Sequence, residues 1–314
     1  MKSIILIIPY FGKWPLWFEA YLCSVAKNPT VNWLCPTDCE VPEHYPENIK
    51  FLPTDLADLN THVNQVVDAK VPLTPRKFCD LKPAYGDIFQ EEIKNYDFWG
   101  FCDMDIIWGD IRKFMTEEVL VKHDIISSRK ENISGHFNLF RNTPELNQLY
   151  KQVPDYQSLF EKERFMWFDE QVLSSYLRES SHSFQIKWDI ILCNQEKGRD
   201  SHQEYYLNRW LWKNGKLINT KTQEEVMYLH FINWKRTIKF SEVQYDKELK
   251  DFHVSYKRIH YQPFSNFRLV FNDFKNLFFG FYKRERKRII MLKFKSFKKR
   301  AFKKIYNVLK ISNK

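Results

Sequence analysis

Among the ionisable residues of this chain, Asp103-Met104-Asp105 has the spacing best suited to chemistry. It follows directly on an apolar run, Tyr96-Asp97-Phe98-Trp99-Gly100-Phe101-Cys102, that reads as a strand. In extended backbone residues i and i+2 point the same way, so the two carboxylates can converge on one hard cation, and that cation can hold a diphosphate. The pair alone is a weak signal: with 18 aspartates in 314 residues, about one Asp-x-Asp arises by chance, and two solvated loop carboxylates are the plainer reading. Position favours metal, because the carboxyl end of a strand in an open α/β sheet is where such folds bind ligands. Other chemistries lack their signatures. The sequence has no Gly-x-Ser-x-Gly elbow, Walker loop or zinc-protease helix, and the histidines at 44, 62, 123, 136, 182, 202, 253 and 260 form no spaced ligand set.

The elements that must position this pair follow from periodicity. Ser3–Ile8 is a short continuous apolar run that predicts a buried strand of a mostly parallel sheet. A loop, Tyr10 to Pro15, and a helix over Leu16–Lys27 follow, then strands at Val31–Leu34 and Ile49–Leu52. The spacing predicts helices over Leu56–Ala69 and Asp80–Asn95, the strand ending at Cys102, further strands at Asp124–Ser127 and His136–Phe140, and helices at Pro144–Gln152 and Asp169–Glu179. After about residue 240 the alternation fades. Residues 1–240 are therefore expected as an α/β domain, and residues 241–314 as a helical, basic, aromatic-rich extension.

The stretch from Lys77-Phe78-Cys79-Asp80-Leu81-Lys82-Pro83-Ala84-Tyr85 through Asp103-Met104-Asp105 resembles bacterial capsule and O-antigen glycosyltransferases with a GT-A fold, a Rossmann-like mixed sheet flanked by helices; the resemblance covers roughly residues 1–240. It implies Mn²⁺ or Mg²⁺ on Asp103 and Asp105, holding the diphosphate of a nucleotide sugar, with donor contacts from Pro9, Tyr10, Phe11 and Asp38. Where related enzymes carry an arginine four residues after the position of Asp80, this chain has Ala84, so Lys82 or Arg76 would supply the cation; for Asp80 itself a helix N-cap is the plainer alternative to a donor contact. A histidine near the end of the catalytic domain often completes the metal set, a place His230 fits, and Lys235 beside it could neutralise the leaving diphosphate. Gly135 to Asn142 resembles the segment lining the donor-sugar pocket, with Gly135 and Asn138 facing the donor. Asp169 and Glu170 resemble the acidic patch that faces the acceptor. In an inverting transferase one of them takes the proton of the attacking hydroxyl; in a retaining one the same acid orients substrate.

Composition narrows the partners. Hydrophobic residues at 44% and charged residues at 28% describe a globular chain with a real core, and 8 glycines are too few for several phosphate-cradling loops. The six cysteines lack a second close pair beside Cys35 and Cys39, so free thiols are expected rather than zinc. From residue 275 to 314 there are fifteen Lys/Arg and one acid, so the tail carries 15 − 1 = +14 and the body 10 − 14 = −4. Ile290, Phe294, Phe297, Ala301 and Ile305 recur at helical steps among these lysines, and Phe267, Phe271, Phe274 and Phe278 form a similar stripe upstream. Such helices lie on anionic bilayers, each basic residue contributing about 1 kcal/mol; a basic helix packed on its own domain and an RNA- or partner-binding arm are the competing readings.

With no spanning segment or cleavage site at the start, the expectation is a cytoplasmic enzyme, peripheral on the inner face of the bacterial inner membrane, moving sugar from a nucleotide-diphosphate donor, UDP-linked on this reading, to a lipid-linked glycan. The alternatives are a nucleotidyl or phosphosugar transferase on a similar sheet, or a basic nucleic-acid-binding protein; nucleic acid is not the expected partner, since the positive charge sits at one end.

Overall fold

The structure, a computed structural model, describes residues 1–188, 208–232 and 234–278, together with positions 291, 294 and 297. Cys193 and most of the basic stretch beyond residue 278 lie outside the described residues.

Seven strands form the main sheet: β1 (Ile4–Ile7), β2 (Val31–Thr37), β3 (Ile49–Pro53), β4 (Phe98–Cys102), β6 (Ile125–Ser127), β7 (Phe137–Arg141) and β8 (Ile186–Trp188), in the order β3-β2-β1-β4-β7-β6-β8. The strands from β3 to β4 run parallel, while β7 runs antiparallel to both β4 and β6. This is the mixed α/β sheet flanked by helices that the resemblance implies.

The sheet is covered on both faces, and each strand's alternation shows it. Ile4 and Leu6 of β1 pack with Phe18, Tyr21 and Leu22 of helix α1 (Phe18–Ala26), whereas Ile5 and Ile7 pack with Leu59 and Val63 of helix α2 (Leu56–Val67). Asp55 starts α2 by accepting the N–H groups of Ala57 and Asp58. Gly100 in β4 is required by crowding: a Cβ there would lie 2.1 Å from the carbonyl oxygen of Asn138 on β7.

The segment expected as a helix over Asp80–Asn95 is instead broken into a 3₁₀ stretch, Lys77–Ala84, and two single-turn helices, Tyr85–Ile88 and Gln90–Ile93. Pro83 has no N–H to continue an α-helix, which accounts for the first interruption.

The larger difference lies beyond residue 208. β9 (Trp210–Lys213), β10 (Lys216–Asn219), β11 (Glu225–Val226), β13 (Phe240–Ser241), β14 (Asp251–Val254) and β15 (Arg258–His260) make a second sheet in the order β11-β10-β9-β14-β15-β13. Residues 241–260, expected within a helical extension, therefore contain strands, and the helix begins only at Asn266–Phe278. The cause is burial: Trp212, Phe252, Val254 and Ile259 point into a third core cluster shared with Trp17, Ala20 and Cys23 of the α1 region. Helix α1 is thus sandwiched between the two sheets.

Two short strands join the halves. β5 (Ile106–Trp108), directly after the aspartates, pairs antiparallel with β12 (Tyr228–His230), placing His230 opposite Ile106.

Candidate functional site

The parallel strands β1 and β4 end at a cleft of about 530 Å³, which the aspartate pair lines. Three backbone contacts fix this turn. The indole N–H of Trp17 donates to the carbonyl of Met104 at 2.8 Å, Phe231 N–H donates to the carbonyl of Asp105 at 3.1 Å, and Asp103 N–H donates to the carbonyl of His136 at 3.4 Å. Met104 packs into the core cluster that holds Ile106 and Phe137, so its neighbours on either side can share one face, as the i, i+2 relation requires.

The carboxylates of Asp103 and Asp105 converge with the imidazole of His230, their ligand atoms all lying within 4.8 Å of one another. His230 Nε2 is 3.7 Å from Asp103 Oδ2 and 3.6 Å from Asp105 Oδ1. These separations exceed a hydrogen bond and suit groups arranged around a shared ion. Two hard oxygen donors and one imidazole form a donor set that Mn²⁺ and Mg²⁺ accept, so the residues fit the metal the resemblance implies.

Two lysines flank the centre. Lys82 Nζ is 2.7 Å from Asp103 Oδ1 and also donates to the carbonyl of Gly135, while Lys235 Nζ is 2.9 Å from Asp105 Oδ2. Burial by itself would lower the Lys82 ammonium, but the Asp103 carboxylate holds it well above the usual lysine range. Burial would likewise raise the Asp105 carboxyl; the His230 ring and the Lys235 ammonium outweigh it and hold Asp105 below the ordinary carboxylate range. Asp105 is therefore an anion at neutral pH.

Behind the centre, His136 stacks on His230 with ring centroids 4.4 Å apart, and its Nδ1 is 2.9 Å from the Tyr228 hydroxyl. Burial first, then the nearby charge of His230, pushes His136 well below the usual histidine range, so it stays neutral. Local spacing offers no reason to single out His136, because its partners come from a strand 92 residues away.

Of the predicted site residues, Pro9, Tyr10, Phe11, Arg76, Lys82, Gly135, Asp169, Glu170 and Lys235 line the cleft together with Asp103 and Asp105. His230 is buried against the two aspartates. Asp38 stays outside the cleft wall and instead accepts the Gly12 N–H at 2.6 Å, shaping the loop that carries Tyr10 and Phe11. Asn138 is fully buried on β7 and donates to the Ser134 carbonyl, so it does not face a donor.

Asp80 departs furthest from its expected roles. It is fully buried, pairs with Lys77 Nζ at 3.0 Å, and its Oδ atoms accept the N–H groups of Met166 at 2.9 Å and Phe168 at 3.2 Å. Lys77 also donates to the carbonyl of Leu159. The pair is a brace under the segment that carries Asp169 and Glu170, and it neither touches the cleft nor caps a helix.

That segment is unusual. Trp167 has φ 53° and ψ 45°, and Phe168–Leu173 winds as a π-helix, a geometry that often marks functional positions. Gly135 makes room for it: a Cβ at Gly135 would lie 2.7 Å from Glu170 Oε1 and 3.4 Å from Asp169 Oδ2, so the bare side expected to admit a sugar is filled by the two acids. Glu170 Oε1 pairs with Arg129 at 2.9 Å and accepts the Gly135 N–H.

Burial raises the Asp169 carboxyl to about 7, with the Glu170 charge adding to the rise and the Lys82 charge opposing it. A raised folded-state value means the native state holds a proton that the unfolded chain has lost, so stability falls as pH rises from about 4 to about 7. In the metal-free protein, Asp169→Asn is expected to remove this slope: its thermal midpoint should gain on wild type steadily between pH 4 and 7 and then hold a constant lead. Parallel melting curves for the two proteins at all pH values would show that Asp169 does not carry the proton.

Two carboxylates and an imidazole, flanked by ammonium groups above the strand ends of a mixed α/β sheet, define a candidate cation centre with an anion-binding wall. The chain belongs to the family of unknown function DUF6625, whose model matches residues 6–263. No curated protein matches the sequence. Among solved structures, it is similar to mouse xyloside xylosyltransferase 1 in its apo form, at 14% identity over 51% of this chain and 72% of that one, with a TM-score of 0.32. It is also similar to the galactosyltransferase LgtC in complex with donor and acceptor sugar analogues, at 12% identity over 58% of this chain and 73% of that one, with a TM-score of 0.33. The glycosyltransferase GlyE of Streptococcus pneumoniae TIGR4 is similar at 10% identity, over 59% of this chain but only 45% of that one, with a TM-score of 0.34.

Proposed function

We propose that this protein is a metal-dependent glycosyltransferase that moves a sugar from a nucleotide-diphosphate donor to a hydroxyl of a glycan. The observation that carries this reading is the convergence of Asp103, Asp105 and His230, with Lys82 and Lys235 beside them, at a cleft that Asp169 and Glu170 also line. When bound there, a divalent ion would supply Lewis-acid stabilisation of the departing diphosphate. The chain's own residues account for the rest. Tyr10 and Phe11 offer aromatic surface to the nucleoside, and the ammonium groups of Lys82 and Lys235 supply positive charge where the leaving group becomes more negative. Asp169 is the base: its proton affinity lies near neutrality, whereas Glu170 is engaged by Arg129 and the Gly135 N–H.

On the sequence resemblance, the donor is a UDP-sugar and the acceptor a lipid-linked glycan of bacterial surface polysaccharide, made by an enzyme peripheral to the inner face of the inner membrane. The C-terminal helix supports the membrane part. Phe267, Val270, Phe271 and Phe274 are 83%, 64%, 56% and 59% exposed and fall on one face of Asn266–Phe278. The helix is tied to the second sheet by Asp273, 2.8 Å from Arg209 and 3.3 Å from Lys221. Helical positions Met291, Phe294 and Phe297 are exposed too. Among the described residues no helix is long and apolar enough to cross a membrane.

Two measurements test the proposal. Calorimetric titration with UDP, GDP, CMP and their sugars, with and without Mn²⁺, is expected to find one nucleotide bound only with metal; no binding by any would overturn the transferase reading. Deleting residues 265–314 is expected to abolish cosedimentation with phosphatidylserine-containing vesicles while leaving nucleotide binding intact, and a truncated chain that still sediments would refute the membrane role.

A further inference from the structure

We infer that Trp167, flanked by Phe165, forms a stacking platform for a pyranose ring of the acceptor glycan, at the rim of the cleft and adjoining the Asp169 and Glu170 carboxylates. This deepens the transferase reading and rests on it. Large apolar side chains that are exposed and also line the cleft are few among the described residues: Trp167, 44% exposed, and Ile232, 43% exposed. The indole is held in place by the backbone beneath it. A large L-residue rarely adopts the left-handed region that Trp167 occupies, and such strain persists only where surrounding structure enforces it.

Here the enforcing group is Asp80, whose carboxylate accepts the N–H groups on both sides of Trp167, from Met166 and from Phe168. Phe168 is plugged into the core against Phe160, with ring centroids 4.6 Å apart, so the chain is anchored immediately next to the exposed ring.

Phe165 borders the indole at an angle. Its ring centroid is 4.9 Å from that of Trp167 with the planes 57° apart, and the Arg76 guanidinium covers one Phe165 face at 4.0 Å, so the stacking face is that of Trp167. Such a patch suits one face of a pyranose. The weakly positive C–H groups of the sugar pack on the negative face of the indole, and the guanidinium stacked on the neighbouring Phe165 offers donors to ring hydroxyls. An aromatic ring already fixed in position loses little freedom on binding, which favours affinity for a small, heavily hydrated ligand.

The test is saturation-transfer NMR with the methyl glycosides of glucose, galactose, mannose, N-acetylglucosamine, N-acetylgalactosamine, xylose and rhamnose, alongside the nucleotide titrations above. Trp167→Gly is the informative variant, since a φ of 53° suits glycine and the fold is kept while the indole is lost; Trp167→Phe retains part of the surface. At least one glycoside is expected to bind the wild type, with its affinity weakened at least about tenfold in Trp167→Gly, partly restored in Trp167→Phe, and metal-dependent nucleotide affinity unchanged. The platform is overturned if no glycoside binds the wild type, if Trp167→Gly binds as well as wild type, or if the glycine variant loses nucleotide instead. Glycoside binding that disappears in Trp167→Gly, without nucleotide binding by any form, would sustain the platform and overturn the transferase reading.

Discussion

Asp105→Asn is expected to lower metal-dependent nucleotide affinity by about two orders of magnitude or more, equivalent to roughly 3 kcal/mol, while the protein stays folded. The carboxylate is 4% exposed as a residue and held as an anion by His230 and Lys235, so it is ready to coordinate without first losing a proton. An amide in the same place keeps shape and one acceptor oxygen but removes the charge a hard cation requires. Folding should survive because, of the two partners left behind, the Lys235 ammonium is 41% exposed and can rehydrate, while the buried His230 ring keeps the Asp103 carboxylate 3.7 Å away. Calorimetry with Mn²⁺ and the bound nucleotide on both proteins decides the matter: equal affinity would remove Asp105 from the metal centre.

Lys77→Met is expected to have the largest effect on stability. Lys77 and Asp80 are 1% and 0% exposed, so removing the ammonium strands a carboxylate in the interior at a cost of about 3–5 kcal/mol. For a chain of this size that corresponds to a fall of roughly 5–8 °C in thermal midpoint. Adding Asp80→Asn should recover much of the loss, because a neutral amide oxygen can still accept from Met166 and Phe168 without an uncompensated charge. A double variant no more stable than Lys77→Met would contradict the buried-charge account and reduce the pair to ordinary packing.

The parts of this protein written in local patterns are legible in its sequence. The apolar runs at 4–7 and 98–102 announce their strands, and the two aspartates stand at the carboxyl end where a parallel sheet opens. The second sheet is hard to foresee although one signal is present. Asn214-Gly215 joins β9 to β10 with φ of 48° and 79°, the left-handed pair that a tight hairpin turn demands, and Trp210 and Trp212 alternate with more exposed neighbours before it. Strands of two to four residues carry too little periodicity to compete with the basic helical pattern that follows.

Asp80 escapes sequence reading for a deeper reason. Its partners are the backbone N–H groups of residues 86 and 88 positions away, and backbone groups carry no residue identity for a sequence to display. His136 and His230 meet because β7 pairs with β4 and β12 with β5, long-range pairings that no local spacing encodes.

That pairing also bears on the order in which the molecule matures. The ligands Asp105 and His230 are separated by 230 − 105 = 125 residues, and β12 is followed by β14, the strand that lies between β9 and β15 in the second sheet. A chain emerging from the ribosome would complete β1 to β4 long before His230 is synthesised, so the centre is among the last features to assemble. Chains truncated before residue 230 should therefore hold no competent cation site, and cation binding would be gained in a single late step instead of growing with length.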